Sequence, residues 1–173
     1  MVAWESGVGR VNGLPARDME SELLSCCASR RWAAAVTEAR PYAGPAAVRS
    51  AAALALADLD WDDVAEALAA HPRIGDRVAG GDRESAWSRG EQAGVEEAAA
   101  GVRAALVDGN RAYEERFGHV FLICATGLSA PEMLAALTGR LRHGPAEERA
   151  AVRAELAKIV DLRLVKLLLG PPA

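Results

Sequence analysis

His71, Glu91 and Gln92 are the residues of this chain whose types and spacing best suit chemistry. His71 heads the stretch His71-Pro72-Arg73-Ile74-Gly75-Asp76, and Glu91 and Gln92 close the stretch Ser88-Arg89-Gly90-Glu91-Gln92. Histidine has the unperturbed pKa nearest neutrality, and a carboxylate beside it fixes its tautomer and raises its pKa. Such a pair can serve as general acid or base, a role worth roughly 10²–10⁴-fold in rate. A plainer reading competes at each position. A histidine before proline at a helix end is commonly a surface or capping residue, and Ser88 with Glu91 has the spacing of a capping box. In that reading Glu91 only returns a hydrogen bond to the Ser88 backbone, which leaves Gln92 unexplained. The free N–H groups of a helix starting here would also offer an anion site.

Arg163 is the other candidate. It stands among apolar residues in Lys158-Ile159-Val160-Asp161-Leu162-Arg163-Leu164. Read locally it snorkels or pairs with Asp161 or Glu155; read functionally it is a planar fork for a substrate carboxylate. His119 and His143 fall at turns. No two histidines stand at i, i+4, and no H-E-x-x-H or zinc-spaced Cys/His cluster occurs, so a metal site is not expected. A phosphate loop, a G-x-S-x-G elbow and a dinucleotide fingerprint are likewise missing from the sequence, which argues against nucleotide and serine-hydrolase chemistry.

The elements that must position these residues read as helices. At 173 residues, 51% hydrophobic and 25% charged, the chain fits one soluble domain able to bury a core. Aromatics make up only 5%, so the core is built from Ala, Leu and Val, which favours close-packed helices over strands. Helical spacing or caps predict helices from Pro15 (Met19, Leu23), through Trp32 to Arg40-Pro41, from Gly44-Pro45 to about Leu59, and from Asp60 to His71. Residues 1–13 show no periodicity and read as a partly mobile lead-in. Arg73 to about Trp87 reads as a glycine-containing loop, either a lid or a connection. A helix capped by Ser88 then runs through Val95, Ala98, Val102 and Leu106, is interrupted or continued at Asp108-Gly109, and closes at Gly118. Val120 to Ala125 is an apolar run too short to assign to strand or helix. Ser129 with Glu132 caps the next helix, to about Arg142, and Gly144-Pro145 starts a last long one. The fold class is all-α, a single-domain irregular bundle of about seven to nine helices over residues 1–173.

The formal charge of -4 gives no reason to expect nucleic acid or an anionic membrane as partner. No apolar run approaches the about 20 residues of a membrane span, and no secretory signal opens the chain. The ending Gly170-Pro171-Pro172-Ala173 is not a peroxisomal address. Cys26, Cys27 and Cys124 are an odd number outside any C-x-x-C pair and read as buried reduced thiols. The cytoplasm is the expected compartment.

The order of motifs resembles the 2-oxo-4-hydroxy-4-carboxy-5-ureidoimidazoline (OHCU) decarboxylases of purine degradation. The likeness runs nearly end to end: Cys26-Cys27-Ala28-Ser29 with Trp32, Arg40-Pro41-Tyr42, His71 to Asp76, Ser88 to Gly94, Asn110 with Tyr113, Phe117 to Gly127, Arg140-Leu141, and Lys158 to Leu164. The resemblance implies an all-helical, cofactor-free carboxy-lyase, a homodimer, whose partner is the small-molecule substrate and whose product is (S)-allantoin. It makes His71 the catalytic acid/base, with Glu91 beside it. It places Pro72, Ser88, Arg89, Gly90, Glu91, Gln92, Ile123, Cys124, Ala125, Thr126, Gly127 and Arg163 at substrate-binding positions. One departure stands out: where the family usually has R-L-x-N-D, this chain has Arg140-Leu141-Arg142-His143-Gly144, a change expected to bear on a helix terminus or subunit contact more than on the pocket. The rival readings are a non-catalytic helical scaffold and a lyase acting on a related ureido acid.

Overall fold

The computed structural model describes residues 2–76, 81–95 and 98–170. Among these residues there are nine α-helices and one 3-10 turn, and no strand. The helices are α1 (Val2–Gly13), α2 (Ala16–Leu24), α3 (Arg30–Glu38), α4 (Pro45–Ala57), α5 (Trp61–Ala69), α6 (Arg83–Glu91), α7 (Ala100–Phe117), α8 (Ala130–Arg140) and α9 (Pro145–Leu169), with the 3-10 turn at Ala93–Val95. The chain divides into two compact units, Met1–Ala67 with Ala157–Ala173, and Leu68–Leu156.

In the first unit α2 packs on α3, and α4 contacts both α3 and α1. Met19, Leu23, Trp32 and Val36 are buried, as their helical spacing predicts, and so are Val48 and Ala52 of α4. Ser29 caps α3 by accepting the Trp32 N–H at 3.3 Å, and the Trp32 indole donates to the Ala52 carbonyl at 3.0 Å. Cys26 and Cys27 are buried free thiols. Arg40-Pro41-Tyr42 is a joint rather than a simple stop. The Arg40–Pro41 bond is cis, and the Arg40 guanidinium donates to the carbonyls of Val11 and Leu14 at 2.9 and 2.7 Å. Asn12 and the Tyr42 backbone exchange two hydrogen bonds, at 2.9 and 2.8 Å.

Residues 2–13 correct the expectation of an irregular lead-in: they form α1. Gly7, Gly9 and Gly13 weaken the intrinsic helix preference, so the reason lies in tertiary contacts. Val8 and Val11 are buried, and Arg10 donates to the Leu167 carbonyl at 2.8 Å, satisfying an acceptor in the last turn of α9. A Cβ at Gly7 would lie 1.9 Å from the Leu168 carbonyl oxygen, so only glycine permits this approach.

In the second unit α7 packs on α8 around a core of Ile74, Val95, Leu106, Tyr113, Phe121, Ile123, Ala125, Ala130, Met133 and Leu137. Helix α7 continues through Asp108-Gly109, because Gly109 is where Leu137 of α8 comes closest: a Cβ there would meet Leu137 Cδ2 at 2.5 Å. Gly118 ends α7 with φ 76°, the left-handed cap that its position predicts. At α8 the Glu132 carboxylate accepts from the Ser129 N–H at 2.8 Å and from its hydroxyl at 2.6 Å, bearing out the expected start.

Gly7→Ala is expected to lower stability by about 1–3 kcal/mol, the range for overpacking a tight contact, measured as a shift in urea midpoint. Gly9→Ala, where a Cβ would meet nothing within 4 Å, is the matched control and should not destabilise.

Candidate functional site

His71 follows the end of α5, where its N–H donates to the Leu68 carbonyl at 2.9 Å and closes the last turn. It is 9% exposed, which overturns the surface reading of this histidine. The turn after it is anchored at three points. Ile74 is buried in the core of the second unit. Asn110 of α7 donates from Nδ2 to the Ile74 carbonyl at 2.8 Å. The Gly75 N–H donates to Gln92 Oε1 at 3.0 Å, with Gly75 at φ 91°, a left-handed conformation that disfavours any side chain. Arg73 grips Glu114 with two hydrogen bonds, at 2.6 and 2.8 Å, which hold the Glu114 carboxyl below the usual carboxylate range. Arg73, Asp76, Asn110, Arg111 and Glu114 line an open recess of about 130 Å³ beside this turn.

Helix α6 departs from the sequence reading. Its N-cap is Asp82, whose carboxylate accepts the Ser85 N–H at 2.8 Å, and the helix covers Arg83–Glu91. The expected loop therefore ends near Asp82 instead of Trp87, and its Gly80 lies outside the described residues. Ser88 sits inside the helix, buried, and Glu91 is the last helical residue. There is no capping box here. The local Ser-x-x-Glu pattern also occurs mid-helix, and Asp82 with Ser85 offered a competing start that the sequence reading passed over. The N–H groups of Ser88 to Gln92 are consequently not a helix start; the Gln92 N–H, for one, donates to the Ser88 carbonyl at 3.1 Å. An anion site at a helix N-terminus is thereby withdrawn. What the segment presents is a helix C-terminus, with Arg89 and Gly90 exposed and Glu91 and Gln92 half-buried. Gln92, the residue that capping could not explain, is the one that reaches the Gly75 backbone.

Beyond Gln92 the chain does not continue as one helix through Val95 and Ala98: it makes the 3-10 turn, residues 96–97 lie outside the described residues, and α7 starts at Ala100. Gly94 explains the tightness of the turn. A Cβ there would stand 2.2 Å from the Leu128 carbonyl oxygen, so the end of Ser88 to Gly94 abuts the loop that follows Gly127.

Val120 to Ala125 is neither strand nor helix. Phe121, Leu122, Ile123 and Ala125 are buried, Cys124 is half-buried, and Thr126 and Gly127 are exposed, with Gly127 at φ 82°. Two of its backbone groups are held by charged side chains. Arg140 donates to the Leu122 carbonyl at 2.5 Å, and Glu155 accepts the Cys124 N–H at 2.8 Å. The Ala125 carbonyl accepts the Leu128 N–H at 3.0 Å. Among the described residues no protein group bonds the N–H or C=O of Ile123, and these remain the donor and acceptor that a ligand could use.

Behind this segment lies a buried ionic cluster that sequence reasoning missed. Arg140 donates to Glu148 Oε1 from Nε at 2.9 Å and from Nη2 at 2.5 Å, and its guanidinium carbon lies 4.8 Å from the Phe121 ring centroid. The Tyr113 hydroxyl donates to the same carboxylate. His143 Nδ1 lies 2.8 Å from Glu148 Oε2. Burial alone would raise the Glu148 pKa, but the hydrogen bonds from Arg140, Tyr113 and His143 outweigh it and hold the carboxyl below its usual range. Burial, reinforced by Glu148, pushes the Tyr113 phenol up. The available signal was an arginine at the core spacing of α8, after Met133 and Leu137. The departure Arg142-His143-Gly144 thus does fall at a helix terminus, where His143 joins the cluster.

Arg163 belongs to the first unit. It is 1% exposed, so it does not snorkel, and its Nη1 reaches the Ser25 carbonyl at 3.5 Å. Asp161 turns instead to Arg49, with two contacts at 2.6 and 2.7 Å. The structure therefore gathers Pro72, Gly75 and Gln92, with Gly94 against Leu128, inside the second unit, together with Ile123 to Gly127. Among the described residues no three His, Cys, Asp or Glu side chains cluster as metal ligands, and no helix is long and apolar enough to cross a membrane.

Comparison with known proteins matches a family model described as OHCU decarboxylase to residues 12–165. The chain is 34% identical over 141 residues to the 2-oxo-4-hydroxy-4-carboxy-5-ureidoimidazoline decarboxylase of Amia calva, covering 80% of this chain and 81% of that one. It is 29% identical over 159 residues to the uric acid degradation bifunctional protein TTL of Arabidopsis thaliana, covering 86% of this chain but 47% of the plant protein, about half its length. A crystal structure of OHCU decarboxylase in the presence of (S)-allantoin superimposes with a TM-score of 0.75 at 29% identity, over 85% of this chain and 96% of that one. A crystal structure of (S)-allantoin synthase has the same fold, with a TM-score of 0.68 at 19% identity, over 92% of this chain and 53% of that one.

The depressed Glu148 carboxyl contributes stability that is present above the ordinary carboxylate range and is lost as pH falls through its own lower pKa. Glu148→Ala should cost about 3–5 kcal/mol, because it strands Arg140 as a buried uncompensated charge. Urea unfolding from pH 7 down to pH 3 would show a steep acid-side loss in the parent chain and a shallower one in the variant.

Proposed function

Because this chain belongs to the OHCU decarboxylase family, we propose that it decarboxylates OHCU to (S)-allantoin, with residues 1–173 acting as one domain without a cofactor. The observation that supports this most directly is the hydrogen bond from Gly75 to Gln92, which ties the His71-Pro72 turn to the end of α6. With it go the relatives, named for OHCU decarboxylation in Amia calva and for uric acid degradation in Arabidopsis thaliana. A cytoplasmic homodimer is part of the reading and is carried by the family resemblance.

The substrate bears a carboxylate and a hydroxyl on one ring carbon. When the C–CO₂ bond breaks, its electron pair moves into the adjacent ring C=N, and the ring nitrogen takes a proton. The resulting enol then returns as the ring carbonyl: the hydroxyl loses its proton, and the neighbouring ureido-bearing carbon gains one on a single face. His71 is assigned that proton transfer. It is held at a helix end by its own backbone, and its side chain is buried, where water competes poorly for the proton.

Glu91 and Gln92 orient substrate and histidine from the C-terminus of α6, with Pro72, Ser88, Arg89 and Gly90 lining the approach. The backbone of Ile123 to Gly127 binds polar groups of the ring and the ureido arm. Arg163 is the fork for an anionic or carbonyl group. Preorganised hydrogen bonding to charge that develops as CO₂ leaves is expected to dominate the acceleration.

The assay is circular dichroism of fresh urate oxidation products with and without the protein, following (S)-allantoin. The parent chain should shorten the OHCU lifetime and give one enantiomer. His71→Ala should keep the helical far-UV signal and fall to the spontaneous rate; a near-normal turnover in that variant refutes the assignment. No change in OHCU lifetime with the parent chain would favour a non-catalytic scaffold. Glu91→Gln should lose at least about tenfold in kcat while its urea midpoint stays put, since no capping box is lost with it. A variant with full rate would remove Glu91 from the reaction.

A further inference from the structure

An apolar segment that is neither helix nor strand has no ladder to satisfy its backbone, so each buried N–H and C=O needs another partner. From Val120 to Ala125 two charged side chains each hold one such group, one on each side of Ile123. Arg140, at the end of α8, holds the Leu122 carbonyl at 2.5 Å, and Glu155, in α9, holds the Cys124 N–H at 2.8 Å. Both lie in the second unit with the segment they hold. Hydrogen bonds with one ionised member are roughly twice as strong as neutral ones, so these are firm anchors. They are also anchors of different kinds. Arg140 is locked in turn by Glu148 and by the Phe121 ring, as part of the core. Glu155 is half-buried and holds a backbone N–H of this segment with its carboxylate.

We propose that Arg140 and Glu155 are positioning residues for the reaction, fixing the backbone around Ile123 so that residues 123–127 meet the substrate in register. The inference rests on the substrate-binding role given above to Ile123 to Gly127. Neither side chain touches substrate. Their effect reaches it through the N–H and C=O of Ile123, which can point at a ring or ureido group only while Leu122 and Cys124 are held. A misplacement of 1 Å in such a contact can cost on the order of 10²-fold.

Steady-state kinetics on freshly generated OHCU, with the enantiomeric excess of allantoin and far-UV circular dichroism, test it. Glu155→Leu removes the acceptor without adding charge. It should raise KM about tenfold or more and lower the excess of the (S) product, with the helical signal unchanged. Glu155→Gln keeps a carbonyl oxygen for the Cys124 N–H and should restore KM to within about twofold of the parent. Arg140→Lys retains a buried cation for Glu148 but loses the fork that spans Glu148 and the Leu122 carbonyl, and it should shift KM in the same direction. Parent-like KM and enantiomeric excess in Glu155→Leu, with or without a lowered melting temperature, would overturn the inference while leaving the decarboxylase reading in place. A parent chain inert on OHCU would overturn both.

Discussion

A guanidinium buried in an apolar interior must be matched, and in the second unit that requirement organises what surrounds it. Arg140 sends two hydrogen bonds to Glu148 and one to the Leu122 carbonyl, and lies over the Phe121 ring. Two buried charges gain little net stability from each other, since desolvation offsets most of the attraction. The value of this pair lies in specificity. The fork has one geometry that satisfies both partners, and that geometry dictates where the chain from Phe121 onward runs. Tyr113 and His143 complete the shell around Glu148, so α7, α8 and the start of α9 all depend on one carboxylate.

The turn at His71-Pro72 is held by a complementary device. Its anchors are neutral and face the backbone: the Asn110 amide on the Ile74 carbonyl and the Gln92 amide on the Gly75 N–H. Carboxamides serve well here because each offers a donor and an acceptor without a charge that would compete with substrate. Glycines set the close approaches. Gly75 supplies a left-handed residue, and Gly94 lets the 3-10 turn come against Leu128. Glu91, half-buried at the end of α6, has no capping duty in this arrangement.

Much of this was legible in the chain itself. Helical spacing places Met19, Leu23, Trp32, Val36, Leu106, Leu156 and Leu164 in the core, and all are buried. Proline and glycine marked the starts of α4 and α9 and the end of α7, because their backbone limits act locally. The order of motifs carried the family, which the match to residues 12–165 bears out.

The misreadings have two causes. Helix α1 looked aperiodic because Gly7 and Arg10 serve contacts with residues more than 150 positions away, at Leu168 and Leu167. The Ser88–Glu91 capping box failed because the same spacing occurs in mid-helix, and Asp82 holds the actual start. By itself the sequence determined that the chain is all-helical, where most of the helices lie and which motifs belong to the family, since these follow from local backbone preferences and short periodicities. Only the tertiary structure decided that Gln92 holds Gly75, that Arg140 and Glu148 form a buried pair and that Glu155 holds the Cys124 N–H. Those are contacts of side chains with groups on other elements, and no helical spacing encodes them.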